Sequence, residues 1–355
     1  MNLNQQPELP KTPLPIVIIG AGGIIKDAHL LAYTLANFKV KGIYDQTKKK
    51  AEDLKVAFDI VEKVYGSLEE LIEDGKKHNA IFDLALPANL HAKMLELLPD
   101  GSAVLIQKPM GENISEAKQI LEICRRKKMI SAVNFQLRYA PYIIAARDMI
   151  DQGLLGEIYD MEILACVHTP WHLWDFLFTL PRVEILYHSI HYLDLVRSFL
   201  GNPKKVYAST IKHPKMKDLA STRSSIILNY DEYTQARIIT NHGHEFGLQH
   251  QQSYFKIEGT KGAIKIRIGL SMDYPRGLPA KFEFMLLDKK QKQWEEIKIK
   301  GGWFPDAFVG TMAGLQRHVL DSSAPLPHSI EDAYETMKLV EVAYASSENG
   351  GINFK

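Results

Sequence analysis

The chain has 355 residues, with 43 Lys and Arg against 42 Asp and Glu for a formal net charge of +1. That length suits two domains with large cores, and a near-neutral chain without a basic stripe of interleaved aromatics argues against a nucleic-acid partner. No run of about 18 apolar residues is present, the polar, proline-rich start lacks a signal-peptide core, and Cys124 and Cys166 have no C-x-x-C spacing, so the expectation is a cytoplasmic protein without membrane span or disulfide scaffold.

Residues 1–14 read as a flexible arm. Ile16 to Ile19 is a β-branched run that stops at glycine, as a buried parallel strand does when it ends in a turn. Gly20, Gly22 and Gly23 follow, then apolar residues at helical spacing (Ile24, Ala28, Leu31, Leu35), then a second strand, Val40 to Tyr44, closed by Asp45. In this order Gly20 permits the turn, Gly22 lets the backbone approach a pyrophosphate, and the helix start at Gly23 and Ile24 offers N–H groups to that anion. Asp45 can accept hydrogen bonds from both ribose hydroxyls, which favours NAD over NADP. The third position of the glycine pattern is Ile25, so either the helix sits farther out or Ile25 packs sideways. Lys48, Lys49 and Lys50 are either a solvated helix start or a grip on a 2′-phosphate, which leaves NADP open.

Alternation continues to residue 135. Lys48 to Phe58 is a helix, Val61 to Val64 a short strand, Ser67 to Lys77 a helix opened by a Ser67–Glu70 capping box, and Ala80 to Leu86 a strand. Leu86, Pro87, Asn89 and His91 lie in a turn into helix Leu90 to Leu98; strand Ala103 to Ile106, helix Ser115 to Lys128 and strand Ser131 to Phe135 complete the set. This predicts a doubly wound parallel sheet over 15–135, with ligands at the carboxyl edge where Gly20, Asp45, Pro87 and Gln107 turn. From 136 to 355 the pattern changes to an α+β domain with a large, mostly antiparallel sheet. Its strands are Ile158 to Val167, Lys205 to Lys212, Ser224 to Asn229, Thr234 to Thr240, Gln251 to Glu258, Gly262 to Ile268, Lys281 to Leu287 and Glu295 to Lys300. Its helices are Ala140 to Asp151, Leu186 to Leu200, Asp306 to Leu320 and Ile330 to Ser347.

Four signals occur in order: GAGGIIKDAHL, ALPANLHAKM, Gln107-Lys108-Pro109 and HSIHYLDLVRSFLG, with GLLGEI and EGTKGAI between and after them. Together they resemble the Gfo/Idh/MocA family of sugar and polyol dehydrogenases from about residue 15 onward. The resemblance implies a Rossmann domain binding NAD, an α+β domain for substrate and oligomerisation, and hydride exchange with a sugar, polyol or sugar acid. The tripeptide matches the family's Glu-Lys-Pro, which implies a catalytic Lys108 near the nicotinamide and the substrate hydroxyl. A lysine desolvated at a strand end has a lowered pKa and can steady an alkoxide or relay a proton. Gln107, expected among the cofactor contacts, departs from the usual glutamate and removes a counter-charge.

The family also carries an aspartate and a histidine four residues apart. His191 matches the histidine, an acid/base for the substrate hydroxyl, while Tyr187 occupies the aspartate position and becomes a candidate proton carrier; Glu184 and His188 are nearby candidates for the tuning role. His168, Trp171 and His172 form either a polyol pocket wall or, for the tryptophan, core packing. Arg138 and Arg182 bind either a substrate anion or an ordinary carboxylate partner. Substrate contacts are thus expected from Lys108, Arg138, Trp171, His172, His188 and His191. His168, His172, His188 and His191 lack a metal-site spacing, so no metal is expected, and His242 and His244 read as loop residues. A broad sheet needing cover on one face points to a homodimer or homotetramer. The competing reading is a regulatory protein of the same fold that binds the dinucleotide without catalysis.

Overall fold

The structure is a computed structural model describing residues 1–288 and 293–351. Its chain divides into two compact units: Gln6–Tyr139 with Trp303–Met337, and Met1–Gln5 with Ala140–Gly302 and the chain from Lys338. The first holds a parallel sheet of β1 (Ile16–Ile19), β2 (Val40–Tyr44), β3 (Ile81–Leu84), β4 (Ala103–Ile106) and β5 (Ile130–Val133), ordered β2-β1-β3-β4-β5. Every residue of β1, β3 and β4 is buried, as in parallel strands covered by helices on both faces. The expected strand at Val61 to Val64 is only two parallel bridges, Val61 to Val40 and Val64 to Ile43. Between them the segment turns polar and serves the surface, with Glu62 pairing Lys41 at 2.9 Å.

After the glycine turn the chain passes through a π-turn at Ile25–His29 into α1 (Leu30–Leu35). The buried residues here are Ile25, Ala28, His29, Leu30, Ala32 and Tyr33, while Leu31 is 39% and Leu35 60% exposed. Of the expected face of Ile24, Ala28, Leu31 and Leu35, Ala28 is buried and Ile24 packs half-buried against the core, while Leu31 and Leu35 point outward. Two of the buried residues are polar, with their polar atoms spent on Asp83 (2.7 Å from both His29 Nδ1 and Tyr33 Oη), so an apolar count selects the other face. Ile25 packs inward and is fully buried. α2 (Lys48–Ala57), α3 (Leu68–Lys77), α4 (His91–Leu97) and α5 (Ile114–Arg126) follow. Ser67 accepts from the Glu70 N–H at 3.1 Å as a cap should, but Glu70 returns to the Gly66 N–H, not to that of Ser67.

The second unit opens with α6 (Pro141–Asp151) and β6 (Ile158–Cys166), then a π-turn at Glu184–Ser189 leads into α7 (Ile190–Leu200). β7 (Lys205–Ile211), β8 (Arg223–Asn229), β9 (Gln235–Asn241), β10 (Gln252–Gly259), β11 (Gly262–Arg267), β12 (Lys281–Leu286) and β13 (Glu295–Ile297) complete its sheet. The order is β13-β12-β11-β10-β6-β9-β8-β7, antiparallel except for the parallel β6–β9 pair. Burial alternates along β8, β9 and β10, so one face packs inward and the other faces solvent. Edge strand β7 gives the N–H groups of Ala208 and Thr210 to Ser346 and Ser347, each at 2.9 Å, which occupies donors that would otherwise invite another strand.

The C-terminal helices are α8 (Asp306–Leu320) and α9 (Ile330–Asn349). α8 belongs to the first unit, where Phe308, Met312, Ala313 and Leu315 join the core of Ile16, Ile18 and Ala28. The units are consequently interleaved and do not divide as 15–135 and 136–355, because the parallel sheet takes cover from a distant helix. Nor do residues 1–14 hang free: Leu3 is 6% exposed, the Asn4 N–H donates to Asp148 at 2.8 Å, and the Leu14 N–H donates to Gln316 at 2.8 Å.

Candidate functional site

The carboxyl ends of β1 to β4 share one edge of the parallel sheet, and there the chain places Gly20, Asp45, the Leu86–Pro87 turn and Gln107–Lys108. Gly20 has φ +108°, and an added Cβ would stand 2.5 Å from the Ala85 carbonyl oxygen, so no side chain fits. Its N–H donates to the Tyr44 carbonyl at 2.8 Å. The Ala21 N–H donates to Asp45 Oδ2 and the Thr47 N–H to Asp45 Oδ1, both at 2.8 Å. Asp45 thereby fastens the turn to the end of β2, a role the sequence did not reveal, and its oxygens keep lone pairs for ribose hydroxyls. A Cβ on Gly22 would meet nothing within 4 Å. The helix start above it is open, and the Gly23 and Ile24 N–H groups have no carbonyl one turn back to bond.

Leu86 is half-buried and Pro87 and Asn89 are exposed at this edge. His91 is not a cofactor contact in this arrangement: it is 0% exposed and its Nε2 bonds the Leu86 carbonyl at 3.0 Å. Burial pulls its pKa down to about 4, so a neutral imidazole braces the turn from beneath. Gln107 is buried, and its Oε1 accepts the Lys108 N–H at 2.8 Å. Lys108 is half-buried, and burial lowers its amine to about 8, as the strand-end position predicts. Arg138 is no substrate ligand: it is 6% exposed, with one guanidinium nitrogen 2.6 Å from Asp332 and another 2.5 Å from the Pro327 carbonyl. Lys48 and Lys49 pair along α2 with Glu52 at 3.7 Å and Asp53 at 2.7 Å.

In the second unit, His191 lies on α7 and is 6% exposed, while Tyr187 and His188 are half-buried on the π-turn before it. The Tyr187 ring packs edge-on to Phe176 at 5.7 Å. Trp171 is core: it is 6% exposed among Leu177, Val183 and Leu219, with its ring edge-on to Trp174 and His242. His168 and His172 are exposed. Arg182 forms an ordinary ion pair with Glu341 at 2.9 Å and stacks on Tyr344.

Sequence reasoning named Glu184 as a tuning candidate but missed the buried partners gathered on it, Ser189, Ser224 and His242. Glu184 is 0% exposed, and its carboxylate accepts from Ser189 at 2.6 Å, from Ser224, and from His242 at 3.3 Å. Burial pushes the Glu184 pKa up, but His242 and the two serines outweigh it and hold the carboxyl below its ordinary range. His242 is 0% exposed and its other ring nitrogen lies 2.7 Å from Thr169 Oγ1. The signal was present: buried residues alternate at Ala236, Ile238 and Thr240, and the next step in that period is His242. His188 Nδ1 lies 3.9 Å from Glu184, one turn on. Glu184, His188 and His242 are the set among the described residues whose donor atoms fall within 4.8 Å of one another as for a metal ion. The serine hydroxyls and His242 already answer the Glu184 charge.

Two family profiles match the chain: one described as an oxidoreductase family with NAD-binding Rossmann fold, over residues 14–135, and the GFO/IDH/MocA C-terminal domain, over residues 143–265. YMR315W, an uncharacterized protein of Saccharomyces cerevisiae, is 26% identical over 287 residues, 74% of this chain and 76% of its own. D-apiose dehydrogenase of Rhizobium rhizogenes is 23% identical over 321 residues, 88% of each chain. An Agrobacterium radiobacter oxidoreductase solved with NAD+, L-tartaric acid and magnesium superimposes with a TM-score of 0.77 at 21% identity, covering 96% of this chain and 98% of its own. Among the described residues no helix is long and apolar enough to cross a membrane. With its dinucleotide half and its C-terminal half each matched, the chain belongs to the Gfo/Idh/MocA oxidoreductase family, and its first unit is that family's NAD-binding Rossmann fold.

Proposed function

We propose that the protein is an NAD-dependent dehydrogenase that interconverts a hydroxyl and a carbonyl on a sugar, polyol or sugar acid. The observation that carries this reading is Lys108, an amine lowered to about 8 by burial at the same sheet edge as the Gly20 turn and Asp45. Similarity to D-apiose dehydrogenase supports the substrate class. The cofactor, when bound, accepts or gives the hydride, and protein groups position and polarise. Gly22, Gly23 and Ile24 receive the pyrophosphate, Asp45 the ribose hydroxyls, and Leu86, Pro87 and Asn89 border the nucleotide. Lys108 holds the substrate oxygen and its proton. His191 serves as the acid/base with Tyr187 beside it in sequence, and His172 and His188 supply hydroxyl contacts.

The carboxylate missing at Tyr187 has a counterpart three residues earlier. Glu184 and His188 repeat the four-residue acid–imidazole spacing one turn back, with the atoms 3.9 Å apart. NAD is favoured over NADP because Asp45 is anionic at the ribose position and Lys48 and Lys49 already hold acidic partners. Both cysteines are free thiols, which supports a reducing, cytoplasmic setting. The solvent face of the second sheet exposes Tyr207 (52%) and Ile227 (37%) as cross-strand partners on β7 and β8, with Ile211 (49%) and Ile239 (40%) on the same face opposite Arg223 and Ser225. This apolar area supports a homo-oligomer, which light scattering of wild type and Tyr207→Lys tests. The activity is tested by a panel of sugars, polyols and sugar acids with NAD+ and NADH. Turnover abolished by Lys108→Met supports the reading, and NADH binding without turnover of any panel member counts against it.

A further inference from the structure

The first unit buries a polar chain that ends on the backbone of Lys108. Asp83, in the middle of the sheet on β3, is 0% exposed. Its Oδ2 meets two donors, Tyr33 Oη and His29 Nδ1, each at 2.7 Å. On the far side of the imidazole, His29 Nε2 lies 3.3 Å from Gln107 Nε2 and 3.2 Å from Asn134 Nδ2. The Gln107 amide is oriented by an obligate donor, the Lys108 N–H, which gives to Gln107 Oε1 at 2.8 Å. The Thr311 hydroxyl lies 2.7 Å from Asn134 Oδ1 and 3.2 Å from the Phe308 carbonyl. The Gln107 nitrogen is therefore turned toward His29 Nε2, which must accept, while Nδ1 carries the proton given to Asp83.

Position 107 thus needs a side chain that donates at one terminal atom and accepts at the other. Glutamine does both. A glutamate still accepts the Lys108 N–H, but its second oxygen would face an imidazole lone pair. That contact is repulsive unless His29 takes up a second proton and becomes a cation between two carboxylates.

We propose that Gln107 is a positioning residue for Lys108, coupling the Lys108 peptide to the buried Asp83–His29–Tyr33 cluster, and that glutamine replaces glutamate in the tripeptide because His29 presents an acceptor. The substitution that looks like decay of the tripeptide is then a matched change within one network. The proposal rests on the reading of Lys108 as the working amine. The groups facing His29 are Asp83 from β3, Tyr33 from its own helix, Gln107 after β4, Asn134 after β5 and the Phe308 ring from α8 at 5.1 Å. Asp83 and Tyr33 are the titratable members of that set, and burial, with Asp83 beside it, keeps the Tyr33 hydroxyl protonated.

The test uses the full-length protein and two variants, Gln107→Glu and Gln107→Met, with three readouts. Nitrogen-15 NMR of labelled histidine should show His29 in the wild type as a neutral imidazole protonated on Nδ1, and in Gln107→Glu as an imidazolium near neutral pH. Amide exchange at Lys108 should accelerate about tenfold or more in Gln107→Met, where the acceptor is gone. On whichever panel sugar the wild type turns over, both variants should lose roughly 10- to 100-fold in kcat while NADH affinity by fluorescence titration stays within about twofold, since loss of aim acts on the chemical step. An unchanged His29 signal in Gln107→Glu together with unchanged Lys108 exchange in Gln107→Met overturns the coupling. Altered NMR and exchange with no turnover by the wild type leaves the coupling intact and removes the dehydrogenase reading, so the two failures are separable.

Discussion

Two glycines in one turn should respond oppositely to a side chain. At Gly20 the backbone sits at φ +108° and a Cβ would lie 2.5 Å from the Ala85 carbonyl oxygen. A left-handed backbone costs a non-glycine residue about 1–2 kcal/mol, and forced overpacking against backbone adds about 1–3 kcal/mol. Gly20→Ala should therefore destabilise the fold by roughly 2–5 kcal/mol, a large part of a typical stability of about 5–15 kcal/mol. At Gly22 a Cβ meets nothing within 4 Å, so Gly22→Val should leave stability within about 0.5 kcal/mol of wild type. Its branched side chain fills the space a pyrophosphate needs to reach the helix N–H groups. Losing one hydrogen bond to a charged group costs about 1.5–3 kcal/mol, which weakens NADH binding by roughly 10- to 100-fold. Urea denaturation and NADH fluorescence titration measure the two quantities. A Gly22→Val protein that binds NADH as wild type does would refute placement of the dinucleotide over this turn. An undiminished stability in Gly20→Ala would refute the steric argument.

Lys108→Met should lower kcat by about 10²- to 10⁴-fold while leaving NADH affinity nearly unchanged, as steady-state kinetics and titration will report. With the amine lowered to about 8, carbonyl reduction should decline as pH rises through that value and the ammonium is lost, and Lys108→Arg should move this limb to higher pH. Arg138→Met should destabilise the protein by roughly 1–4 kcal/mol, because Asp332 and the Pro327 carbonyl lose a buried partner, without changing KM for substrate in the folded fraction. His91 is neutral when folded, with its pKa depressed to about 4, while in the unfolded chain the imidazole titrates near 6.5. Its contribution to stability is present above the unfolded value and lost as pH falls through the folded one, up to about 3 kcal/mol. His91→Gln should flatten that part of the acid profile in urea titrations.

What the sequence disclosed follows from how locally each feature is encoded. The buried strands Ile16–Ile19 and Ala103–Ile106 fell where their apolar runs lie, and the Gly20–Asp45 turn was legible because each residue type has a steric or hydrogen-bonding reason. The helix face after that turn was misread because His29 and Tyr33 are buried by their bonds to Asp83, and a pattern of apolar residues contains no information about a partner some fifty positions away. His242 escaped for the same reason, its inward direction being set by strand period and its burial by Glu184. Arg138 and Trp171 were ambiguous as residue types, since the chain alone cannot show that Asp332 or Leu219 stands against them. The return of α8 to the first unit depends on packing across nearly the whole chain and left no local trace.

Hydride exchange between nicotinamide and a sugar-class carbon in the presence of Lys108 can be followed directly with an isotope. Wild type and Lys108→Met should be incubated with NAD+ and carbinol-deuterated sugars and polyols, D-apiose among them, and the recovered cofactor examined by mass spectrometry. Deuterium should appear on NADH from the wild type with at least one substrate, and little or none from Lys108→Met. Wild-type protein that binds NADH yet transfers no deuterium from any of them, or a variant that transfers it equally well, would rule out hydride exchange dependent on Lys108.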